Sequence, residues 1–310
     1  MPEQDPNFEN HYSMKNLASV ITAPFKLLRN RIFCLIFVNG FLLAFLVYFF
    51  IEDNYESQIF KALATQVRES SKSTNTDSLL AQSVMLTYKL EEYRQSVFGD
   101  KELRAFKSDF IRPVTFDLIT GNGACGSFSY VLSRLLNELD IDTRLAQMKV
   151  NGTFGGHIIV EAKSGDKWVA LDASYNLIFT KPDRSLASFQ DIKNNWDYYK
   201  TQVPANYDLS YNYADVRYTN WEKIPVVMPM LKSVLNLTMG EKAANEVSLR
   251  NIFLRKFNFL FKATLFVYLL FALWLFRLFR KQSEEIEKFR LSLLFPKKSI
   301  GKAEPTHVAA

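Results

Sequence analysis

Two long apolar runs frame the chain. Ile32 to Ile51 (IFCLIFVNGFLLAFLVYFFI) carries no charge, and Phe257 to Phe276 (FNFLFKATLFVYLLFALWLF) is interrupted only by Lys262. As α-helices, both are long enough to cross a hydrocarbon layer of about 30 Å. Lys262 lies near one end of its run, so its stem can carry the charge toward the headgroups. The first run exceeds the apolar stretch of a signal peptide, and no small-x-small cleavage site follows at Glu52-Asp-Asn, which predicts an uncleaved anchor. The pattern divides the chain into a tail (1–31), a span (32–51), a domain (52–256), a second span (257–276) and a basic tail (277–310). Within the last, Glu284 to Leu294 predicts a short helix on the membrane surface.

Inside the domain the period changes along the chain. Residues 55–69 and 78–97 have helical spacing, separated by the loop Ser70-Ser-Lys-Ser-Thr-Asn-Thr76, with Asp77 and Ser78 as the expected cap of the second. Phe128, Val131, Leu132, Leu135, Leu136 and Leu139 form one apolar helix stripe, and Asp140-Ile-Asp142 ends it. Thr143 to Val150, His157 to Ala162 and Lys167 to Asp172 then read as strands, linked by turns at Asn151-Gly152 and Ser164-Gly165. Helices followed by an antiparallel sheet make an α+β domain. Beyond Leu177 the chain is rich in Tyr, Asn, Asp and Trp. A helix is expected near Ser185 to Tyr199, and Asn206 to Trp221 reads as a loop region covering the core.

Composition agrees with this division. Hydrophobic residues make up 48% of the chain and Phe alone contributes 27, an excess concentrated in the two runs. The net charge of +6 comes largely from their flanks. Lys15, Lys26, Arg29 and Arg31 precede the first span, and Glu52, Asp53 and Glu56 follow it. Arg277, Arg280, Lys281, Lys288, Arg290, Lys297, Lys298 and Lys302 follow the second, outweighing the cluster Arg250, Arg255, Lys256 and Lys262 on the other side. Both termini are therefore expected on the cytoplasmic side of a cell membrane and the domain outside the cytoplasm, with the basic tails against lipid headgroups. No aromatic-and-basic platform accompanies the charge, so nucleic acid is not an expected partner.

The chain has two cysteines and three histidines. Cys34 lies within the first span and His11 and His307 in the tails, which leaves the domain with Cys125 and His157. A structural zinc site takes four ligands at short spacings, so this pair implies no metal, and no other cofactor is expected. Cys125 also has no disulfide partner within the domain. It stands at the expected start of the striped helix, where backbone amides and the helix dipole lower a thiol's pKa. Its neighbours Ala124 and Gly126 leave room for a substrate carbonyl.

Folding the hairpin symmetrically about Ser164-Gly165 sets Ala162 opposite Lys167, Glu161 opposite Trp168 and His157 opposite Asp172. Opposed residues share a face and lie within hydrogen-bonding reach. That geometry gives a nucleophile, Cys125, a general base, His157, and a carboxylate, Asp172, that orients the imidazole. The N–H of Cys125 is the natural oxyanion donor, and Asn122 is a second candidate by proximity. The plainer readings are a buried small thiol and an ordinary cross-strand polar pair.

Gly123-Ala-Cys-Gly-Ser127, Asp140-Ile-Asp-Thr-Arg144, Gly156-His-Ile-Ile-Val-Glu161 and Trp168-Val-Ala-Leu-Asp172 resemble, in that order, the transglutaminase-like superfamily within the papain-like thiol fold. The resemblance covers about residues 80–180. It implies a Cys-bearing helix packed on an antiparallel sheet that carries His157 and Asp172. It also implies acyl transfer or hydrolysis at a peptide or protein amide through a thioester. The aromatic residue that often follows the Cys motif directly is represented only by Phe128, and 180–250 matches no part of the pattern. Two other functions fit the same fold: a non-catalytic binding or scaffold module, and a thiol-dependent acyltransferase using a small acyl donor.

Overall fold

A computed structural model describes residues 31–71, 75–99, 101, 103 and 107–294. The tail to residue 30, with His11, and the chain beyond Leu294, with His307, lie outside the described residues. The chain forms two compact units. One runs from Tyr48 to Leu260, and the other comprises, among the described residues, Arg31 to Val47 together with Phe261 to Leu294.

Helix α1 spans Arg31–Ser70 and α2 Thr76–Phe98. No Gly or Pro separates the apolar run from residues 55–69, so the expected span and the helix after it are one continuous element. The cap of α2 is Asn75, whose side chain accepts from the Asp77 N–H, rather than Asp77 itself. A π-helical turn, Lys107–Ile111, leads to α3 (Val114–Thr120) and α4 (Cys125–Glu138). Strands β1 (Thr143–Val150), β2 (Thr153–Ser164) and β3 (Lys167–Asp172) follow. Then come a 3-10 turn (Ala173–Tyr175), β4 (Leu177–Ile178), α5 (Phe189–Asn194), α6 (Trp196–Tyr199) and β5 (Val216–Arg217). The chain closes with α7 (Val227–Met239), α8 (Glu241–Glu246), α9 (Leu249–Ile252) and α10 (Lys256–Leu294). The helix expected near Ser185–Tyr199 is thus two short ones broken at Asn195, the first opened by a Ser188–Asp191 capping box. The helix expected at Glu284–Leu294 is the end of α10.

By length and composition, Cys34–Ser70 and Lys256–Lys281 each contain a stretch able to cross a membrane. The other unit is α+β, with a five-stranded antiparallel sheet in the order β4-β3-β2-β1-β5. The stripe of α4, together with Phe60, Ala64 and Val67 of α1 and Leu80 and Val84 of α2, buries one sheet face formed by Leu145, Val160, Ala162, Val169 and Leu171. The opposite face presents Ala146, Met148, Ile159 and Ala170 to Phe179, Phe189, Tyr199, Tyr207 and Tyr213. Residues 179–213 thus pack as the second layer of the unit.

Where the chain enters and leaves this unit, charges meet. Asp53 accepts from Arg255 at 3.1 Å and from Asn258 at 2.9 Å. The Phe257 ring lies 6.1 Å from Tyr48 and 6.4 Å from Phe49.

Candidate active site

The loop before α4 is held by a chain of polar contacts. Arg112 pairs with buried Asp117 at 3.0 Å. Asp117 accepts from Ser127 Oγ at 2.9 Å, and Ser127 Oγ in turn accepts from the Gly123 N–H at 2.7 Å. A Cβ on residue 123 would stand 2.7 Å from Ser127 Oγ and 2.8 Å from Arg112 Nη2, so any larger residue would have to displace these two contacts. The next residue, Ala124, takes φ 46° and ψ −132°. Such a backbone is costly for a residue with a side chain, on the order of 1–3 kcal/mol, and persists only when its surroundings enforce it. Cys125 follows as the first residue of α4, where its N–H has no acceptor within the helix.

The helix then docks on an open strand edge. Pairing of β2 with β3 ends at Val160 opposite Leu171. Beyond it, Ile158 satisfies its backbone on α4 instead. Ser129 Oγ donates to the Ile158 carbonyl at 2.7 Å, and the Ile158 N–H donates to the Cys125 sulfur. Cys125 and Ser129 stand four residues apart on one helix face, which suits two adjacent contacts along one strand.

His157 and Asp172 come together with a two-residue difference from the symmetric register. Glu161 pairs with Ala170 rather than Trp168, and Ala162 with Val169 rather than Lys167. The turn residues are Gly165 and Asp166, with Gly165 at φ 60°, the first-position geometry that a type II′ turn reserves for glycine. Asp172 is therefore diagonal to His157 rather than opposite it. A shift of two keeps both side chains on one face, whereas a shift of one would have separated them. His157 Nε2 lies 2.7 Å from Asp172 Oδ2, with both side chains buried. Asp172 Oδ1 is held by the Ser174 N–H at 3.1 Å. With Nε2 committed to the carboxylate, Nδ1 is the nitrogen left for the Cys125 thiol, to which the imidazole is hydrogen-bonded.

These contacts bias the charges. Burial raises the pKa of the Cys125 thiol, but the hydrogen bond and positive charge of His157, together with the Ile158 N–H, outweigh it and leave the thiol lowered. Burial lowers the pKa of His157, but the charge and hydrogen bond of Asp172, with a contribution from Cys125, carry it up to about 10. Both shifts favour a thiolate–imidazolium pair at neutral pH. Tyr211 stacks on the imidazole at 4.3 Å with ring planes 4° apart, and Tyr175 meets it edge-on at 6.0 Å. Burial first, and then the charges of Tyr175, Asp208, Cys125 and Asp172, push the Tyr211 hydroxyl up to about 12, so it stays a neutral cover for the imidazole.

Cys125, His157 and Asp172 are thus in one line of contact. Asn122 does not join them, because its amide donates to the carbonyls of Phe98 at 3.1 Å and Lys101 at 2.7 Å. Its donor capacity ties down the α2–α3 connection and is not aimed at a substrate oxygen. Sequence reasoning missed Ser127, Ser129 and Tyr211. The first two stand two and four residues after the thiol on the helix it opens, and that spacing was the available signal. The density of tyrosines in Asn206–Trp221 was the only signal for Tyr211. Cys34 and Cys125 are both free thiols. Among the described residues, no three His, Cys, Asp or Glu side chains are grouped to hold a metal ion. Compared with known proteins, the chain matches no family model, no curated protein and no solved structure.

Proposed function

We propose that the chain is a membrane-anchored thiol enzyme of the transglutaminase-like kind, cleaving or transferring an acyl group at a peptide or protein amide bond. The observation that carries this reading is the buried Asp172–His157 pair at 2.7 Å, with the imidazole bonded to a lowered thiol at a helix start. In the reaction, the Cys125 thiolate attacks the carbonyl carbon, forming a C–S bond while the carbonyl electrons move to oxygen. The Cys125 N–H faces the resulting oxyanion. Collapse breaks the C–N bond, and the departing amine takes the proton from His157 Nδ1. Water or an acceptor amine then attacks the thioester and gives its proton to His157, and the C–S bond breaks to restore the thiolate. Asp172, bonded to Nε2, keeps the ring oriented throughout. The basic flanks of the spans favour cytoplasmic termini in a cell membrane, with the thiol unit on the other side.

Iodoacetamide labelling of the full chain across pH tests the pair. Alkylation of Cys125 is expected well below the free-thiol pKa of about 8.5. His157→Ala should move its midpoint back up toward that value. Slow labelling at neutral pH that the substitution leaves unchanged would sink the enzyme reading.

A further inference from the structure

A cavity whose lining includes none of Cys125, His157 and Asp172 has the chemistry of an anion site joined to an apolar one. It encloses about 370 Å³ and draws its lining from the α3 start, α4, the 219–223 loop, α7 and the α9–α10 connection. Four cations, Arg112, Lys223, Arg250 and Lys256, face one carboxylate, Asp117. Arg112 already pairs with Asp117. Lys223, Arg250 and Lys256 make no ion pair among the described residues. Arg250 donates to the Tyr130 hydroxyl at 3.2 Å, and Lys256 to the Arg112 carbonyl at 2.5 Å. Asp117, paired with Arg112 and close enough to act on Lys256 as well, is the one carboxylate among the four cations of the lining, so positive charge is in excess there.

Apart from Tyr130, Thr219 and Asn220, the rest of the lining is apolar, with Val114, Met228, Leu249, Phe253 and Leu254. Met228 belongs to α7, in which no residue is buried. That helix exposes Val227, Met230, Val234 and Leu237 (52%, 64%, 50% and 88%), a stripe at helical spacing with no cover among the described residues. Val226 and Ile224, just before it, are exposed as well. A helix that leaves such a stripe open beside a cationic cavity has the form of an interfacial helix. Lys256 begins α10, whose apolar stretch follows directly.

We infer that this cavity binds an acidic phospholipid, the phosphate-bearing headgroup meeting Lys223, Arg250 and Lys256 and the acyl chains lying along Met228, Phe253 and the α7 stripe. This goes beyond the thiol chemistry and uses only the membrane attachment proposed above. Three charges without an ion pair argue for the anion. The apolar share of the lining and the open stripe argue that the anion carries a hydrocarbon tail.

The test uses the full chain in a neutral detergent, titrated calorimetrically with dihexanoyl phosphatidylglycerol, its phosphatidylcholine counterpart and inorganic phosphate. Saturable binding of the glycerol lipid is expected, with the choline lipid and free phosphate each weaker by at least about tenfold, one charge-assisted contact or its apolar equivalent. Replacing Lys223→Gln and Arg250→Gln together should weaken the glycerol lipid by about a hundredfold, two such contacts. Lys223→Arg with Arg250→Lys should restore most of it. Equal binding of the choline lipid, or a Gln double variant that binds as the parent does, overturns the proposal. Free phosphate that matches the lipid removes the tail from it. If the Gln double variant does not fold, the three ligands on the unaltered chain still decide. The thiol reading stands or falls separately, on alkylation of Cys125.

Discussion

The two faces of the sheet are built from different material. One is aliphatic, with Leu132, Leu135, Leu136, Leu145, Val160 and Leu171 closing on one another. The other is aromatic, with Phe179, Phe189, Tyr199, Tyr207 and Tyr213 over Ala146, Met148 and Ala170. Cys125 comes from the aliphatic side, on the helix that packs there, whereas His157 and Asp172 point into the aromatic side beside Ile159 and Ala170. The thiol and the imidazole thus arrive from opposite layers and meet at Ile158, where β3 has ended and the strand edge is open. Small branched side chains pack a helix closely and fix its start. Tyrosines shelter a charged ring while keeping a polar rim, since each carries an apolar body and a hydroxyl.

Truncating each layer in turn should separate these roles. Leu135→Ala and Tyr213→Ala both remove fully buried side chains, and each is expected to destabilise the unit by about 2–5 kcal/mol in denaturant melts. Only the aromatic truncation should also move the pH midpoint of Cys125 alkylation, because Tyr213 bonds Tyr207 at 3.2 Å and Tyr207 packs on Tyr175 at 4.6 Å beside the imidazole. Midpoints that move equally in both variants would erase the distinction between the layers.

The meeting point itself has a pH signature of intermediate size. His157 rises from 6.5 to about 10 in the folded chain, so its stabilisation is complete below about pH 6.5 and is lost as pH climbs through about 10. The Cys125 thiol falls below its ordinary 9.0, so its stabilisation is present above 9.0 and is lost as pH drops through the lowered value. From the lowered thiol value, or from 6.5 where the thiol falls below that, up to 9.0, the folded pair and the unfolded pair each hold one proton, and the two slopes cancel. The pair should therefore add no slope of its own across that window, and the parent's stability should fall only through other groups, such as buried Glu91, raised to about 8. In Cys125→Ala only the imidazole remains, and stability should decline more steeply than in the parent across that window, by up to about 1.4 kcal/mol per pH unit. A variant with the parent's slope would mean that the thiol and imidazole do not share a proton.

The smallest effect belongs to the cover. Tyr211→Leu should cost about 1 kcal/mol through loss of ring stacking on His157, and Tyr211→Phe close to nothing. Alkylation midpoints and melts of the two variants check this. A Phe variant as impaired as Leu would mean that the hydroxyl, rather than the ring face, is what matters.

Much of this was legible because it was periodic. The α4 stripe is buried throughout, and β1 and β3 begin and end where alternation and the Asn151-Gly152 turn placed them. The meeting of Cys125, His157 and Asp172 was legible because the domain holds a single Cys and a single His, and because Asp172 falls on the same face of the hairpin as His157. The register of β2 with β3 was not, since the chain alone does not say which two residues make a two-residue turn, and Gly165 occupies its first position rather than its second. Asn122 misled because proximity in sequence says nothing of where a side-chain amide is already engaged. Tyr211 and β5 were invisible for a third reason. Their contacts are tertiary, and a segment without a period offers no face to read.

One last consequence follows from Asp53, Arg255 and Asn258, joined where the chain enters and leaves the α+β unit. With Tyr48 and Phe257 in ring contact at 6.1 Å, nothing in the fold depends on which end comes first. The unit is topologically a removable insert. A short linker across residues 48 and 260, with new termini opened at the Gly165-Asp166 turn, would leave every strand pairing and the thiol–imidazole line in place. What looks like a domain strung between two membrane-length helices is, in connectivity, nearly a closed ring.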